Sequence, residues 1–146
     1  MPTTFTKLTH TWNANPNAPE AEISVDGSDV LLAFFANPWM FPDYDEEERL
    51  ELRFTDVSRY RLGESNDEGW YTMGKCRFSR IAPEWGEFYE VSGDLLLESL
   101  PLQWSFLRAP TEEDVHYLFY LKENTFECSA RGWSMRRLPR SSNVRA

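Results

Sequence analysis

The sequence predicts one mainly β domain, either an antiparallel two-layer sandwich or a strongly curved sheet, with little helix. Three observations lead to this prediction. Aromatic residues make up 15% of the chain, and they favour the pleated, half-buried surface of a sheet. Runs of alternating polar and apolar residues are separated by Gly, Pro, Asn and Asp. No segment keeps a helical periodicity over three turns.

The first half of the chain supplies the first predicted strands. Residues 11–20 contain two prolines and three asparagines, which predict an extended loop. Alternation begins at 22–25 and resumes at 30–35. Asp26-Gly27 between these runs predicts a hairpin with a loop of up to four residues. Further on, Leu50, Leu52 and Phe54 share one face of a strand, which we expect to pack on the core.

The end of the predicted core is an aromatic-rich hairpin. Residues 116–121 and 125–130 are β-rich and flank the polar turn 122–124. Apolar groups on both faces of 116–121 predict a central strand that is covered on both sides. Just before it, Thr111 precedes three acidic residues and could cap a single helical turn.

Length and charge suggest one domain with a basic tail. At 146 residues the chain can bury a core without disulfides or metals. All 24 acidic residues lie at or before Glu127, and five arginines follow it. We therefore predict a domain over 1–138 and a flexible basic tail over 139–146, either solvated or tethered to the chain's own acidic face.

Composition disfavours several classes of partner and location. The net charge of −9 would repel a nucleic-acid backbone. No apolar run approaches the roughly 20 residues of a membrane span, and the N-terminus lacks the residue order of a signal peptide. We therefore expect a cytoplasmic protein that binds neither nucleic acid nor membrane. Cys76 and Cys128 define no disulfide framework, although one bridge between them stays open.

Little in the sequence predicts reaction chemistry. The chain lacks a nucleophile elbow, and its two histidines are His10 and His116. A histidine at the start of an aromatic strand is more often structural, so we expect no Ser–His or Cys–His site. The acidic run 43–48 lacks the central glycine of a calcium loop. We therefore expect no metal and no cofactor, and the sequence leaves enzymatic activity open while favouring none.

One loop combines aromatic and acidic residues and is our leading candidate for a binding surface. We expect the acidic groups to steer a basic protein partner, and the aromatic groups to act as anchors. The predicted function is therefore a non-enzymatic protein-interaction domain of undetermined oligomeric state. The candidate residues are Trp39, Phe41, Tyr44, Asp45 and Glu46.

A second group of residues predicts an alternative function. Carboxylates beside aromatic rings could form a cleft for a small ligand or a carbohydrate, or the site of a weak hydrolase. Its residues are Trp70, Glu84, Trp85, Glu87 and Tyr89. A further set of arginines could form a basic stripe, although cross-strand pairing with Glu51, Glu87 or Glu90 is the preferred interpretation. These are Arg53, Arg59, Arg61, Arg77 and Arg80.

Two strings carry a resemblance to a known group of proteins. The hairpin 116–130, with Trp133 beyond it, resembles the C-terminal hairpin of small uncharacterised bacterial β-rich proteins, and the block 85–94 is similar in character. The resemblance covers about a third of the chain. It implies a compact β domain, and some comparable acidic proteins are immunity partners of secreted toxins. It implies no functional residues.

Overall fold

Alternating polar and apolar segments form eight β-strands. The structure is a computed structural model that describes residues 3–63, 84, 86–93, 104–122 and 124–139. No helix occurs within these residues, which confirms the mainly β prediction. The strands are β1 (Thr4–Lys7), β2 (Glu22–Asp26), β3 (Asp29–Phe35), β4 (Arg49–Gly63), β5 (Phe88–Ser92), β6 (Ser105–Phe106), β7 (Val115–Tyr120) and β8 (Thr125–Arg137).

The strands form one open antiparallel sheet in the order β1-β5-β7-β8-β4-β3-β2, with β6 paired to β4. The sheet is strongly curved. Phe34 of β3 and Phe119 of β7 are three strands apart, about 14 Å in a flat sheet, yet their ring centroids lie 5.2 Å apart. Of the two predicted forms, the curved sheet is the one observed.

The hydrophobic core lies on the concave face of this sheet. Leu50, Leu52 and Phe54 of β4 are fully buried there, as predicted. Trp12, from the loop before β2, packs into the concavity, and its ring lies 5.9–6.3 Å from four other aromatic rings. The predicted extended loop 11–20 therefore contributes a core residue.

Strand β4 is one 15-residue strand with a register shift between Val57 and Arg59. Asp56, just before the shift, has φ of 50°. Its N–H donates to Asp29 Oδ1 over 2.9 Å. This hydrogen bond, aided by Arg53 and opposed by burial, lowers the pKa of Asp29. Side chains at even positions of β4 face the core both before this irregularity and after it, where Tyr60 and Leu62 pack against the core, so Arg59 lies on the opposite face of the sheet.

The turn of the first hairpin has two residues, fewer than the maximum of four that we expected from the sequence. Asp26 pairs with Asp29, which leaves the two-residue turn Gly27-Ser28. Gly27 has φ of 64°, a conformation that glycine adopts without steric cost. The Asp-Gly signal therefore located the hairpin.

Strand β7 lies between β5 and β8, and residues 116–121 are buried on both faces, as expected for a central strand. The predicted helical turn at Thr111 is not formed. Instead, the Asp114 N–H donates to the Thr111 carbonyl over 3.2 Å, and the chain enters β7 at the next residue. The Asp114 carboxylate accepts from the Thr111 N–H over 3.1 Å, which closes the turn.

Three of the arginines that follow Glu127 lie in β8 and pair with acidic groups. Arg131 lies 3.3 Å from Glu113, Arg136 lies 2.8 Å from Glu51, and Arg137 binds Glu48. Part of the excess basic charge is therefore fixed to the chain's own acidic groups. Residues 140–146 of the predicted tail lie outside the described residues.

Other predictions also fall outside the described part of the chain. They concern Cys76, Arg77 and Arg80. Cys128 is a buried free thiol, so the bridge to Cys76 that the sequence left open is not formed. Nothing within the described ranges forms a helix of the length and apolar character needed to cross a membrane.

Candidate functional site

The leading candidate residues lie in the connection between β3 and β4, which we call the 37–48 loop. Asn37 starts this loop, and its side-chain oxygen accepts from the N–H groups of Trp39 and Met40 over 3.2 Å each. Its amide nitrogen donates to Asn13 Oδ1 over 3.0 Å. The bend that carries Trp39 and Met40 is therefore held by a buried asparagine pair.

The far end of the 37–48 loop is fixed to β8. Arg137 binds the buried Glu48 through two nitrogens, Nη2 lying 2.7 Å from Oε1. The guanidinium also lies 4.5 Å from the centre of the Tyr44 ring. Tyr44 is buried at the edge of the core, and burial raises its pKa. Tyr44 thus supports the loop from inside.

The surface of the 37–48 loop is both apolar and acidic. Trp39 and Met40 are 61% and 59% exposed. Phe41 is half-buried and packs against the core. Asp45 and Glu46 are exposed, together with Asp43 and Glu47. Phe41 and Tyr44 therefore pack toward the interior of the protein. Trp39 is exposed together with Met40, which was not among the residues predicted from sequence.

A cavity of about 400 Å³ opens beside Trp39. Its other walls are Asn15, Pro38, Glu46 and Glu47. A tryptophan and two glutamates in the walls of one cavity form a suitable environment for a cationic side chain.

The alternative cleft is only partly visible in the described residues, since Trp70 and Trp85 lie outside them. Glu84 is exposed, 3.5 Å from Lys7 Nζ. Tyr89 is buried, and its hydroxyl donates to the Glu84 carbonyl over 3.1 Å. Burial is the main reason that the pKa of Tyr89 is raised. Tyr89 is thus part of the fold's interior.

Glu87, a residue of the alternative cleft, lies close to Met40 of the 37–48 loop. It is buried, and burial raises its pKa, although a 3.0 Å hydrogen bond from Asn13 Nδ2 opposes the shift. The same Nδ2 lies 3.6 Å from Met40 Sδ. Glu87 and Met40 line one cavity of about 330 Å³. This junction was not predicted from sequence, because asparagines in a Pro-rich loop indicate turns.

A second constellation lies on the opposite face of the sheet, and we call it the polar cluster: Arg59, Arg61, His116, Glu127 and Ser129. His116 is buried, with Nε2 2.7 Å from Glu127 Oε1 and Nδ1 3.0 Å from Ser129 Oγ. Glu127 also accepts from Arg61 Nη1 over 3.3 Å, and Ser129 Oγ accepts from Arg59 Nε over 3.3 Å.

Sheet register assembles the polar cluster. His116 of β7 pairs with Ser129 of β8, and Ser129 pairs in turn with Arg59 of β4. Glu127 lies two residues from Ser129 and therefore on the same face. Trp104 covers this face, with its ring 4.1 Å from the Arg59 guanidinium and edge-on to His116 at 6.0 Å.

The described residues include three of the five arginines assigned to the possible basic stripe: Arg53, Arg59 and Arg61. Arg53 pairs with Asp26 and Asp29, and Arg61 pairs with Glu127, so cross-strand pairing occurs with partners other than those expected.

Among the described residues, no group of acidic, histidine or cysteine side chains could hold a metal ion.

Comparison with known proteins adds no relative. No protein-family model matches the chain, and no curated protein or solved structure is significantly similar to it.

Proposed function

We propose that this protein binds a basic protein partner through the 37–48 loop. The observation that carries the proposal is the exposure of Trp39 and Met40, 61% and 59%, on a loop that is braced at both ends. Large exposed apolar groups in a rigid setting are typical of interaction sites. Rigidity reduces the entropy lost on binding.

The cavity beside Trp39 suggests how the partner is recognised. A lysine or arginine side chain in it would lie against the indole ring and between the carboxylates of Glu46 and Glu47. Cation–π attraction and ion pairing would act on the same group. We therefore infer that the partner inserts a basic side chain at this point.

The charge of the whole chain supports the same class of partner. The net charge of −9 would attract a cationic protein over a distance of about one Debye length, 8–10 Å, and raise the association rate. A cationic secreted toxin, with this protein as its immunity partner, is the specific form that the resemblance of the hairpin implies. Action in the cytoplasm stays a prediction.

The test is to isolate partners from the producing cells and to compare three variants. Trp39→Ala and the double change Glu46→Gln, Glu47→Gln should each weaken binding of the same partner by about tenfold or more. Phe106→Ala is the matched control, since Phe106 is 62% exposed but lies in β6. Binding by calorimetry at two salt concentrations would quantify the effect.

Two binding results would contradict the proposal. If all variants bind every isolated partner with the affinity of the unmodified protein, the 37–48 loop is not the interface. If Phe106→Ala alone loses the partner, the interface lies around β6.

A further inference from the structure

We propose that Ser129 is an activated nucleophile that cleaves small, uncharged carboxylic esters, with His116 as its general base. This activity is independent of the 37–48 loop. Three contacts carry the proposal: Ser129 Oγ to His116 Nδ1, His116 Nε2 to Glu127 Oε1, and Ser129 Oγ to Arg59 Nε.

We assign the proton positions from the hydrogen-bond partners. With the Glu127 carboxylate as the acceptor, the neutral imidazole of His116 carries its proton on Nε2. Nδ1 is then an acceptor. Ser129 Oγ already accepts from Arg59 Nε–H, so its own proton points to Nδ1. The serine–histidine–carboxylate order is the one that activates a serine in unrelated folds, although here Nδ1 faces the serine and Nε2 faces the carboxylate.

A cavity lies next to the hydroxyl. It has a volume of about 360 Å³ and includes Ser129, His116 and Arg59 in its walls, within the range of small-molecule sites. Val91, Pro110 and Val115 give it apolar walls that suit a short acyl chain. Glu90 and Asp114, also in the walls, disfavour an anionic substrate.

The proposed ester hydrolysis needs no co-reactant other than water. Ser129 Oγ attacks the ester carbonyl carbon while its proton moves to His116 Nδ1, and the carbonyl electrons form an oxyanion beside the Arg59 guanidinium. The bond from carbon to the alcohol oxygen then breaks, and the alcohol leaves with the proton from His116. Water hydrolyses the acyl-serine by the same route, which releases the acid and restores Ser129.

A fluorophosphonate probe tests the nucleophile directly, because serine displaces fluoride and keeps the phosphorus. We expect one adduct, located on Ser129 by peptide mass mapping. Ser129→Ala should abolish it. His116→Gln should slow labelling about 100-fold or more, and so should hydrolysis of p-nitrophenyl butyrate.

Ser134→Ala is the matched control, since Ser134 is exposed on the same strand, and it should label at the unmodified rate. Circular dichroism and thermal melting show whether each variant is folded. The proposal is overturned if the folded, unmodified protein gains no adduct at Ser129, or if folded His116→Gln labels Ser129 at an unchanged rate. Either result would make the polar cluster a purely structural network.

Discussion

Arg137 of β8 binds Glu48 at the base of the 37–48 loop, with Nη2 2.7 Å from Oε1, while its guanidinium lies 4.5 Å from the centre of the Tyr44 ring. One side chain from the last strand therefore joins the proposed interface to the sheet. The contact spans most of the chain and has no local sequence signal.

Replacing this arginine should destabilise the protein. In Arg137→Ala the buried Glu48 loses its cation, and we expect the free energy of unfolding to fall by about 1–3 kcal/mol. Arg136→Ala is the control, because Arg136 is 66% exposed and pairs with Glu51 at the surface, a kind of pair worth about 0–1 kcal/mol. Urea unfolding measures both. Equal losses would show that burial of Glu48 does not matter.

Replacement by alanine should destabilise the protein at one glycine and not at another. Gly27→Ala should cost about 1–2 kcal/mol, because φ of 64° is unfavourable for a residue with a Cβ atom. Gly132→Ala in β8 meets no atom within 4 Å and should be neutral or stabilise by about 0.5–1 kcal/mol, since alanine restricts the unfolded chain. Thermal melting of both variants would show the difference. A Gly27→Ala variant as stable as the unmodified protein would argue against the two-residue turn.

Lowering the pH should reduce the free energy of unfolding, because Asp114 then becomes protonated. Burial alone would raise the pKa of Asp114, but hydrogen bonds from Arg108, the Thr111 backbone and Ser58 hold it well below the usual range. The folded pKa is thus below the unfolded value near 3.9. Stability from this group is complete above that value and falls as pH drops below about 4.

The corresponding experiment compares Asp114→Asn with Glu113→Gln between pH 2 and 6. Asp114→Asn should be less stable at pH 6 and should lose less of its remaining stability on acidification. Glu113 is 75% exposed, so Glu113→Gln should follow the unmodified curve. Parallel curves for all three proteins would refute the assignment to Asp114.

The thiol of Cys128 should be unreactive in the folded state. It is fully buried, and burial raises its pKa well above the usual range. In a Cys76→Ser variant, which retains Cys128 alone, we expect no reaction with Ellman's reagent at pH 8 until urea unfolds the protein. Rapid reaction of the folded variant would contradict this burial.

Strands β2, β3 and β4 were readable from sequence because local alternation marks them, whereas β1 and β6 were not predicted. Leu50, Leu52 and Phe54 share a face in any sheet, whatever its partner strands. The sequence left a two-layer sandwich and a strongly curved sheet as alternatives, since the choice depends on rings such as Phe34 and Phe119 that meet across three strands. The helical turn predicted at Thr111 failed because the Asp114 side chain closes a turn there and β7 begins one residue later.

The polar cluster was not predicted from sequence because it depends on how β7 pairs with β8. A shift of this pairing by one residue changes the partner of His116. A three-residue turn over 122–124 would place His116 opposite Ala130. The observed pairing of Tyr120 with Thr125 places His116 opposite Ser129 instead. Loop length therefore decides whether His116 has a hydroxyl partner, and sequence alone did not determine it. The asparagine pair Asn13 and Asn37 was missed because it links segments with no shared pattern.

The long ladder between β4 and β8 has a consequence for how the chain folds. Its ends are the pairs Leu50 with Arg137 and Gly63 with Thr125, about 60–90 positions apart along the chain. The β7–β8 hairpin can form within microseconds, but closing this ladder requires a large loss of chain entropy before contacts compensate. We therefore expect folding in milliseconds to seconds, with the rate set by the arrival of β4 at a hairpin that has already formed.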